Sequence, residues 1–512
     1  MTEYRKKVSL IGAGPGDPKL LTLKALECIK AADVVVYDYL ASSSLLKHTD
    51  TDAELIYAGK KGGDHTLTQD EINSLIVEKA LQGLKVARLK GGDPFIFGRG
   101  GEEAQVLVKN GIPFEIVPGV TSAIAAPAYA GIPLTHRDHA SSVSFVTGHE
   151  DPTKAETSIN WECLAKGGST LVFLMGVKNL SSIAANLVKH GRNPSTPVAL
   201  VRWGTTPAQQ TVTGTLSDIV EKVENCGLKP PAIIVVGEVV SLREELSWFD
   251  HLPLLGRKIV VTRARAQASD LVEKLSRLGA ECIEIPAIKI NPPFDNSQLE
   301  NAVKDIDTYQ WVVFTSVNGV AFFFETLFNL GKDVRTLGHL KFACIGPATR
   351  DKLTQFGIIS DILPETYQAE SVVEAFADQG VKDKHILLPR AMEARTVLPE
   401  ELDKMGAVVD EVTAYVTTLD EQSKEIFSKS LENSEIDMVT FTSSSTVKNF
   451  VSLFSDSGMR ESMKNISTAC IGPITAQTAA DLGITPDVSA RTYTIDGLVE
   501  AVLNFYKQQQ TQ

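Results

Sequence analysis

Three stretches of the sequence hold residue types that can move a proton or meet an ion. Asp38 follows the apolar run "ADVVVYDYL" (Ala32–Leu40), where a carboxylate would be presented at a sheet edge. A helix cap or a solvated loop acid is the alternative reading of it. Lys60 stands in the glycine-rich "YAGKKGGDH" (Tyr57–His65). The segment "RLKGGDPFIFGRGGEEA" (Arg88–Ala104) holds five glycines, a proline and Arg99. So flexible a loop is costly to order, and loops of this kind are mostly functional.

A fourth stretch, "VSLIGAGPGDPKLLTLKA" (Val8–Ala25), runs from an apolar strand through a glycine turn into a helical pattern. A dinucleotide fingerprint reads G-x-G-x-x-G. Here the third glycine of Gly12-Ala13-Gly14-Pro15-Gly16 comes one residue early, and Pro15 removes a backbone donor that a phosphate cradle would use. No GxxxxGK[ST] motif is present. The spacing favours a tight turn that lets a less anionic ligand reach the backbone; a turn with no ligand stays open. Downstream, "VPGVTSAIAAPAYAGIPLTHRD" (Val117–Asp138) adds a small-residue helix able to pack closely.

The elements that must position these groups alternate as strand and helix. "KVSLIG", "DVVVYD", "KVARLKGGD", "PFEIVPG", "SVSFVTG" and "PAIIVVGEVV" read as strands, with apolar-periodic segments between, which is an α/β class. A domain break falls near Asp250–Gly256. Beyond it lies an internal repeat: Arg263 and Arg390, Gly279 and Gly406, and Thr315 and Thr442 each stand 127 positions apart, while Gly346 and Gly472 are 126 apart. That register predicts two successive α/β units with a cleft between them.

The chain has 512 residues, enough for two to four domains, and a formal net charge of −13 that disfavours nucleic acid or an anionic membrane as partner. No apolar run reaches the roughly 18 residues of a membrane helix, and the N-terminus lacks a signal-peptide core. The six cysteines show no metal spacing and read as buried free thiols of a cytoplasmic protein. The tail 507–512 reads as disordered.

Taken in order, "GAGPGDPKLLTLKA", "VVVYDYL", "GDHTLTQDEIN", "RLKGGDPFIFGRGGEE", "VPGVTSAIAAPAYAGIPLTHRD" and "LVFLMG" closely resemble the S-adenosylmethionine-dependent uroporphyrinogen-III C-methyltransferases, over about Lys6–Asp250. The resemblance implies a two-lobed tetrapyrrole methylase fold over residues 1–250, with the methyl donor bound between the lobes and no metal. The matching cofactor positions are Pro15, Gly91, Gly92, Asp93, Ile96 and Thr121, then Ser122, Met175 and Gly204, with Ala232 a lesser candidate. Ser122 stands where relatives often carry alanine. Asp38 aligns with the family's proton acceptor and Lys60 with its proton donor, although Lys60 can equally bind a substrate carboxylate. Arg99, His136, Arg137 and Arg202 are candidate partners for the substrate's carboxylates, or else surface ion pairs. The implied reaction is double methylation to precorrin-2 by way of precorrin-1, releasing S-adenosylhomocysteine. Homodimers are the family's habit.

The second half, over residues 255–506, resembles uroporphyrinogen-III synthase through "VVFTSVNGV", "ACIGPATR", "LLPRAMEARTVLPEEL", "VTAYVT", "VTFTSSSTVKNF" and "ACIGPITAQTA". This implies a two-lobed α/β fold that closes hydroxymethylbilane with inversion of the last ring, without cofactor or metal. Tyr415 matches the tyrosine that assists departure of the hydroxyl. Ser316, Thr349, Ser443 and Thr475 are hydroxyl candidates, with helix capping as the alternative. Arg263, Arg390 and Arg395 are basic candidates. A position often basic in the family is Ser467-Thr468 here. The competing reading is an active methyltransferase whose second half only binds or docks.

Overall fold

The computed structural model describes residues 7–59, 67–149, 159–262, 265–364, 369–377, 379–392, 397–432, 436–453, 463 and 465–510. The chain forms two compact units, one built on the residues up to Lys258 together with Lys274–Glu281 and the stretch from Tyr506, the other on Ile259–Glu273 and Cys282–Phe505.

The first unit holds two five-stranded sheets. Strands β1 (Val8–Gly12), β2 (Val34–Tyr37), β3 (Glu54–Tyr57), β4 (Val86–Lys90) and β5 (Phe114–Val117) run in the order 3-2-4-1-5, all parallel. Both faces are covered. Val8, Leu10, Val34 and Val36 enter one core and Ile11, Val35, Ala87 and Leu89 the other, as expected of a sheet buried on both sides. The central strand β4 breaks that rule, because Arg88 and Lys90 share a face with Val86. Strands β6 (Val143–Thr147), β7 (Thr170–Leu174), β8 (Pro197–Arg202), β9 (Gln210–Thr215) and β10 (Ala232–Val236) form a mixed sheet in the order 6-7-10-8-9. The alanine-rich helix Ser122–Tyr129 leaves the first lobe and packs on this second sheet through Ala123 and Ala126. A side chain on Gly204 would collide with Ala126, so the small residues permit the approach the sequence suggests.

The second unit also holds two sheets. Strands β11 (Lys258–Val261), β12 (Glu281–Glu284), β18 (Met438–Phe441), β19 (Ser467–Cys470) and β20 (Val488–Ser489) run in the order 12-11-18-19-20. Strands β13 (Ile288–Asn291), β14 (Trp311–Phe314), β15 (Lys341–Cys344), β16 (His385–Ala391) and β17 (Val408–Leu419) run in the order 13-17-16-14-15. The repeat is real in its elements, but its copies are not successive lobes. The first strand of one copy, β11, pairs in parallel with β18 of the other, and β16 pairs with β14. Each lobe therefore draws strands from both copies, and the chain passes between lobes at 285–287 and again after Leu419. The backbone N–H of Asp420 donates to Ala287 O at 3.1 Å, tying the two crossings together.

Two further expectations change. Cys163 and Cys226 are exposed and only Cys344 and Cys470 are buried; none of the six cysteines forms a disulfide. Burial pushes the Cys344 thiol up to about 12 and Cys470 to about 11, which leaves both unreactive. The last helix runs Ile495–Gln510, so positions 507–510 continue a helix. Among the described residues no helix is long and apolar enough to cross a membrane.

Candidate active site

A cavity of about 870 Å³ opens in the first unit. Its size suits a nucleoside-sized ligand with room for part of a second molecule. The glycine turn forms one wall. Gly14 N donates to Gly92 O at 3.2 Å and Gly92 N to Gly14 O at 2.7 Å, so the two glycine loops are stitched together as a two-residue ladder. Gly14 and Gly92 both have positive φ, 80° and 71°. Beneath them, a Cβ on Gly12 would stand 2.5 Å from the Cα of Gly119. Ala13 N and Gly14 N are spent on Lys90 O and Gly92 O, and Pro15 has no N–H, so three successive residues of the turn offer a phosphate no amide. Asp93 anchors the arrangement: Oδ2 accepts from Gly119 N at 3.0 Å and Oδ1 from Phe95 N at 2.8 Å.

Asp17 closes the turn onto the second lobe. Its backbone N–H donates to Thr205 Oγ1 at 3.0 Å, and Tyr129 donates its phenol to Asp17 Oδ2 at 2.9 Å. Burial and the adjacent Asp17 carboxylate push the Tyr129 phenol upward, so it stays a donor.

All nine cofactor positions inferred from the sequence line this cavity. Pro15, Gly91, Gly92, Asp93 and Ile96 come from the first lobe. Thr121 and Ser122 lead into the helix between lobes, and Met175 and Gly204 come from the second; Ala232 lines it as well. Glycines and alanines share the wall with Tyr37, Tyr39 and Tyr57, and three other lining residues, Phe97, Met175 and Trp203, hold positive φ (53°, 59° and 48°). Non-glycine residues in that region are strained and tend to mark ligand sites. Among the described residues the lining sets aromatic and apolar side chains beside glycine loops, which suits a nucleoside carrying little negative charge.

Asp38 also lines the cavity. Its Oδ1 accepts from Leu40 N at 3.1 Å, and its Oδ2 lies 3.3 Å from Arg88 Nη2. Arg88 is buried and donates as well to Leu89 O at 2.8 Å. Glu103 lies behind, with Lys90 Nζ at 2.6 Å, Gln69 Nε2 at 3.1 Å and Arg88 Nε at 3.4 Å, all to Oε1. Sequence reasoning passed over this cluster. The available signal was Arg88 and Lys90 two apart in an otherwise apolar strand, a pattern that demands buried partners.

The remaining basic candidates lie elsewhere. Arg99 is half-exposed and pairs with Glu102 at 2.5 Å. His136 sits 3.8 Å from Asp138, and Arg137 is exposed. Arg202 donates to Gln210 Oε1 at 3.1 Å. None of these four lines the cavity. Lys60 lies outside the described residues, as do Arg263 and Arg395.

In the second unit, Tyr415 reaches its position through a bulge. Arg390 pairs with Thr413 but Ala391 pairs with Tyr415, so Ala414 is the extra residue. The shift puts Tyr415 in the same core as Val412 and Ala414. Its phenol lies 3.0 Å from Ser316 Oγ, which also caps the helix Val317–Asn329 by accepting from Gly319 N at 3.0 Å. Arg390 is buried with Nε 3.2 Å from Glu411 Oε1. Thr349 and Thr475 are buried in equivalent first turns of the helices Pro347–Thr354 and Pro473–Asp481.

Ser443 stands apart from these, in a small polar pocket of about 200 Å³. Thr262, Thr446 and Asn449 line it from one lobe, while Asn318 and Ile290 line it from the other. Asn318 and Ser445, both in this lining, are repeat equivalents 127 apart; the repeat register was the signal that could have found them.

Comparison with known proteins follows the same division. The family model for tetrapyrrole (corrin/porphyrin) methylases matches residues 7–220. The model for uroporphyrinogen-III synthase HemD matches residues 269–500. A relative from Ruminiclostridium josui, porphyrin biosynthesis protein HemD, is 40% identical over 97% of this chain and 97% of its own length. The uroporphyrinogen-III C-methyltransferase of Bacillus subtilis (strain 168) is 44% identical over 70% of this chain and 74% of its own. The S-adenosyl-L-methionine-dependent uroporphyrinogen III methyltransferase of Methanosarcina barkeri is 56% identical over 47% of this chain and 94% of its own.

Proposed function

The chain belongs to the tetrapyrrole methylases through its N-terminal half and to the uroporphyrinogen-III synthases through its C-terminal half, and from that premise we propose one enzyme with two consecutive activities. The second half closes hydroxymethylbilane to uroporphyrinogen III, inverting the last ring. The first half methylates uroporphyrinogen III at C2 and C7, giving precorrin-2 by way of precorrin-1. The observation that carries the methylase reading is the cavity whose wall holds the glycine loops and Asp38 together.

Bound there, S-adenosylmethionine supplies an already activated methyl group and leaves as S-adenosylhomocysteine. The protein's part is placement. Pro15, Gly91, Gly92, Asp93, Ile96, Thr121, Ser122, Met175 and Gly204, all in the cavity lining, would hold the donor. Holding donor and acceptor in line supplies most of the acceleration such a transfer needs. As the pyrrole carbon is methylated the macrocycle becomes cationic. Asp38 stabilises that charge and takes the released proton. Lys60 serves as proton donor or carboxylate contact, and Arg99, His136, Arg137 and Arg202 meet substrate carboxylates on approach.

In the second half Tyr415, bonded to Ser316, helps the hydroxyl leave as water, which forms an electrophilic azafulvene. Attack from a substituted pyrrole carbon then gives a spiro intermediate. Arg263, Arg390 and Arg395 supply cationic contacts, and Ser316, Thr349, Ser443 and Thr475 hydroxyl contacts, to the tetrapyrrole carboxylates. The enzyme works in the cytoplasm as a homodimer formed through its methylase half.

The test uses the intact chain with hydroxymethylbilane, with and without methyl-labelled donor. Without donor the product is the type III isomer. With donor, two labelled methyl groups enter each macrocycle. A type I product with label transfer only to added uroporphyrinogen III would favour a second half that binds without catalysing. No label transfer would overturn the methylase reading.

A further inference from the structure

We propose that Lys90 is a further substrate-binding residue of the methyl-transfer cavity, taking one carboxylate of the polyanionic macrocycle, and that Glu103 is the positioning residue that holds its ammonium there. The inference rests on the methylase reading above and adds two residues to it.

Lys90 is the last residue of the central strand β4, its side chain is 6% exposed, and it lines the cavity. Few buried lysines lack an anionic partner, and this one has Glu103 at 2.6 Å. An ammonium has three donors, and Glu103 Oε1 takes one. Glu103 is itself 1% exposed. Its Oε1 receives Lys90, Arg88 and Gln69, while its Oε2 is buried with no hydrogen-bond partner among the described residues.

A carboxylate spending one oxygen on three donors is a brace for cations. The arrangement costs desolvation of two cations on one strand, and two anions, the buried Glu103 and the partly exposed Asp38, offset part of it. Arg88 spends its donors inward, on Asp38, Val36 O, Leu89 O and Glu103. Of the two, Lys90 lines the cavity and Arg88 does not. Burial, and then the charge of Arg88, pull its pKa below the usual lysine value. An arriving carboxylate offsets both effects, so the site gains most from an anionic ligand. The tetrapyrrole brings several carboxylates, whereas the donor's single carboxylate sits beside its own ammonium and sulfonium, so the macrocycle is the reactant better matched to an unneutralised lysine.

The experiment compares Lys90→Met, Glu103→Gln and their double variant in the intact enzyme, with uroporphyrinogen III varied at saturating donor and the reverse. Lys90→Met raises KM for uroporphyrinogen III about tenfold or more, the scale of one charge-assisted contact. KM for the donor and affinity for S-adenosylhomocysteine stay at wild-type values. Glu103→Gln gives a smaller rise in the same constant, and the double variant is no worse than Lys90→Met, because Glu103 acts through Lys90. An unchanged KM for the tetrapyrrole in Lys90→Met, an equal loss for both reactants, or additive effects would overturn the proposal. Should Lys90→Met not fold, judged by circular dichroism and S-adenosylhomocysteine binding, Lys90→Arg carries the test. It keeps the charge and retains at least part of the tetrapyrrole affinity, whereas Lys90→Gln does not; equal KM values for the two would overturn the proposal. Absence of methyl transfer by the wild-type chain would instead strike at the parent reading.

Discussion

The phenol of Tyr415 and the hydroxyl of Ser316 lie 3.0 Å apart, joined across 99 positions of sequence by a bulge on one side and a helix cap on the other. The bond gives the phenol a fixed direction in an otherwise apolar surround, with Phe322 stacked at 5.9 Å between ring centroids.

Replacing Tyr415 by Phe keeps that stack and removes the hydroxyl. Cyclisation by the intact chain should fall by roughly 10²-fold, the scale of one acid–base group. Type I uroporphyrinogen should rise as spontaneous closure competes. Ser316→Ala should also lose about 1 kcal/mol of stability, because it deletes a helix cap. Isomer analysis together with denaturant unfolding separates the two effects.

Asp38→Asn retains the size of the side chain beside Arg88 but not its charge. Methyl transfer should slow by about 10²- to 10⁴-fold. Affinity for S-adenosylhomocysteine, read by calorimetry, should stay near wild type. An unaltered transfer rate would remove Asp38 from the chemistry.

Gly12→Ala puts a methyl group into backbone, not into a movable side chain, since Gly119 Cα and Gly92 O are its nearest neighbours. We expect a loss of roughly 1–3 kcal/mol from overpacking. Weaker donor binding should accompany it, because the Gly14–Gly92 ladder lies directly above. Thermal unfolding with and without S-adenosylhomocysteine measures both.

Glu115, on β5, supplies an acid-stability test. Burial alone would raise its pKa, but Lys24 at 2.8 Å, Lys7 at 2.9 Å and Ser9 at 3.0 Å hold it at about 2, against 4.5 ordinarily. A depressed carboxylate stabilises the fold above its unfolded pKa and loses that contribution as pH falls through the folded one. Glu115→Gln should therefore lower stability above about pH 4.5 and approach wild type near pH 2. A parallel offset at every pH would show that the ion pairs contribute nothing.

The local patterns were legible and the partnerships across the chain were not. Pro15 in the wrong place for a phosphate cradle was visible, and the Gly14–Gly92 ladder supplies the reason. Asp38 could be read from its place after an apolar strand. The brace behind it could not, because Glu103 reaches Arg88 and Lys90 from 15 and 13 residues away with no shared period. The repeat was readable to a single-residue register. Its assembly was not, since β11 and β16 are equivalent strands and either could pair with β14 or β18 on local grounds alone.

That exchange gives one chain the connectivity of an intertwined dimer. Severing the backbone ahead of β16 would leave the upstream piece holding β11 without β18, and β14 without β16. Neither piece could complete a sheet of the second unit from its own strands, so that unit must fold by complementation between the two. A destabilising change in either copy of the repeat is thus felt in both lobes, and neither lobe can be trimmed away to leave the other standing.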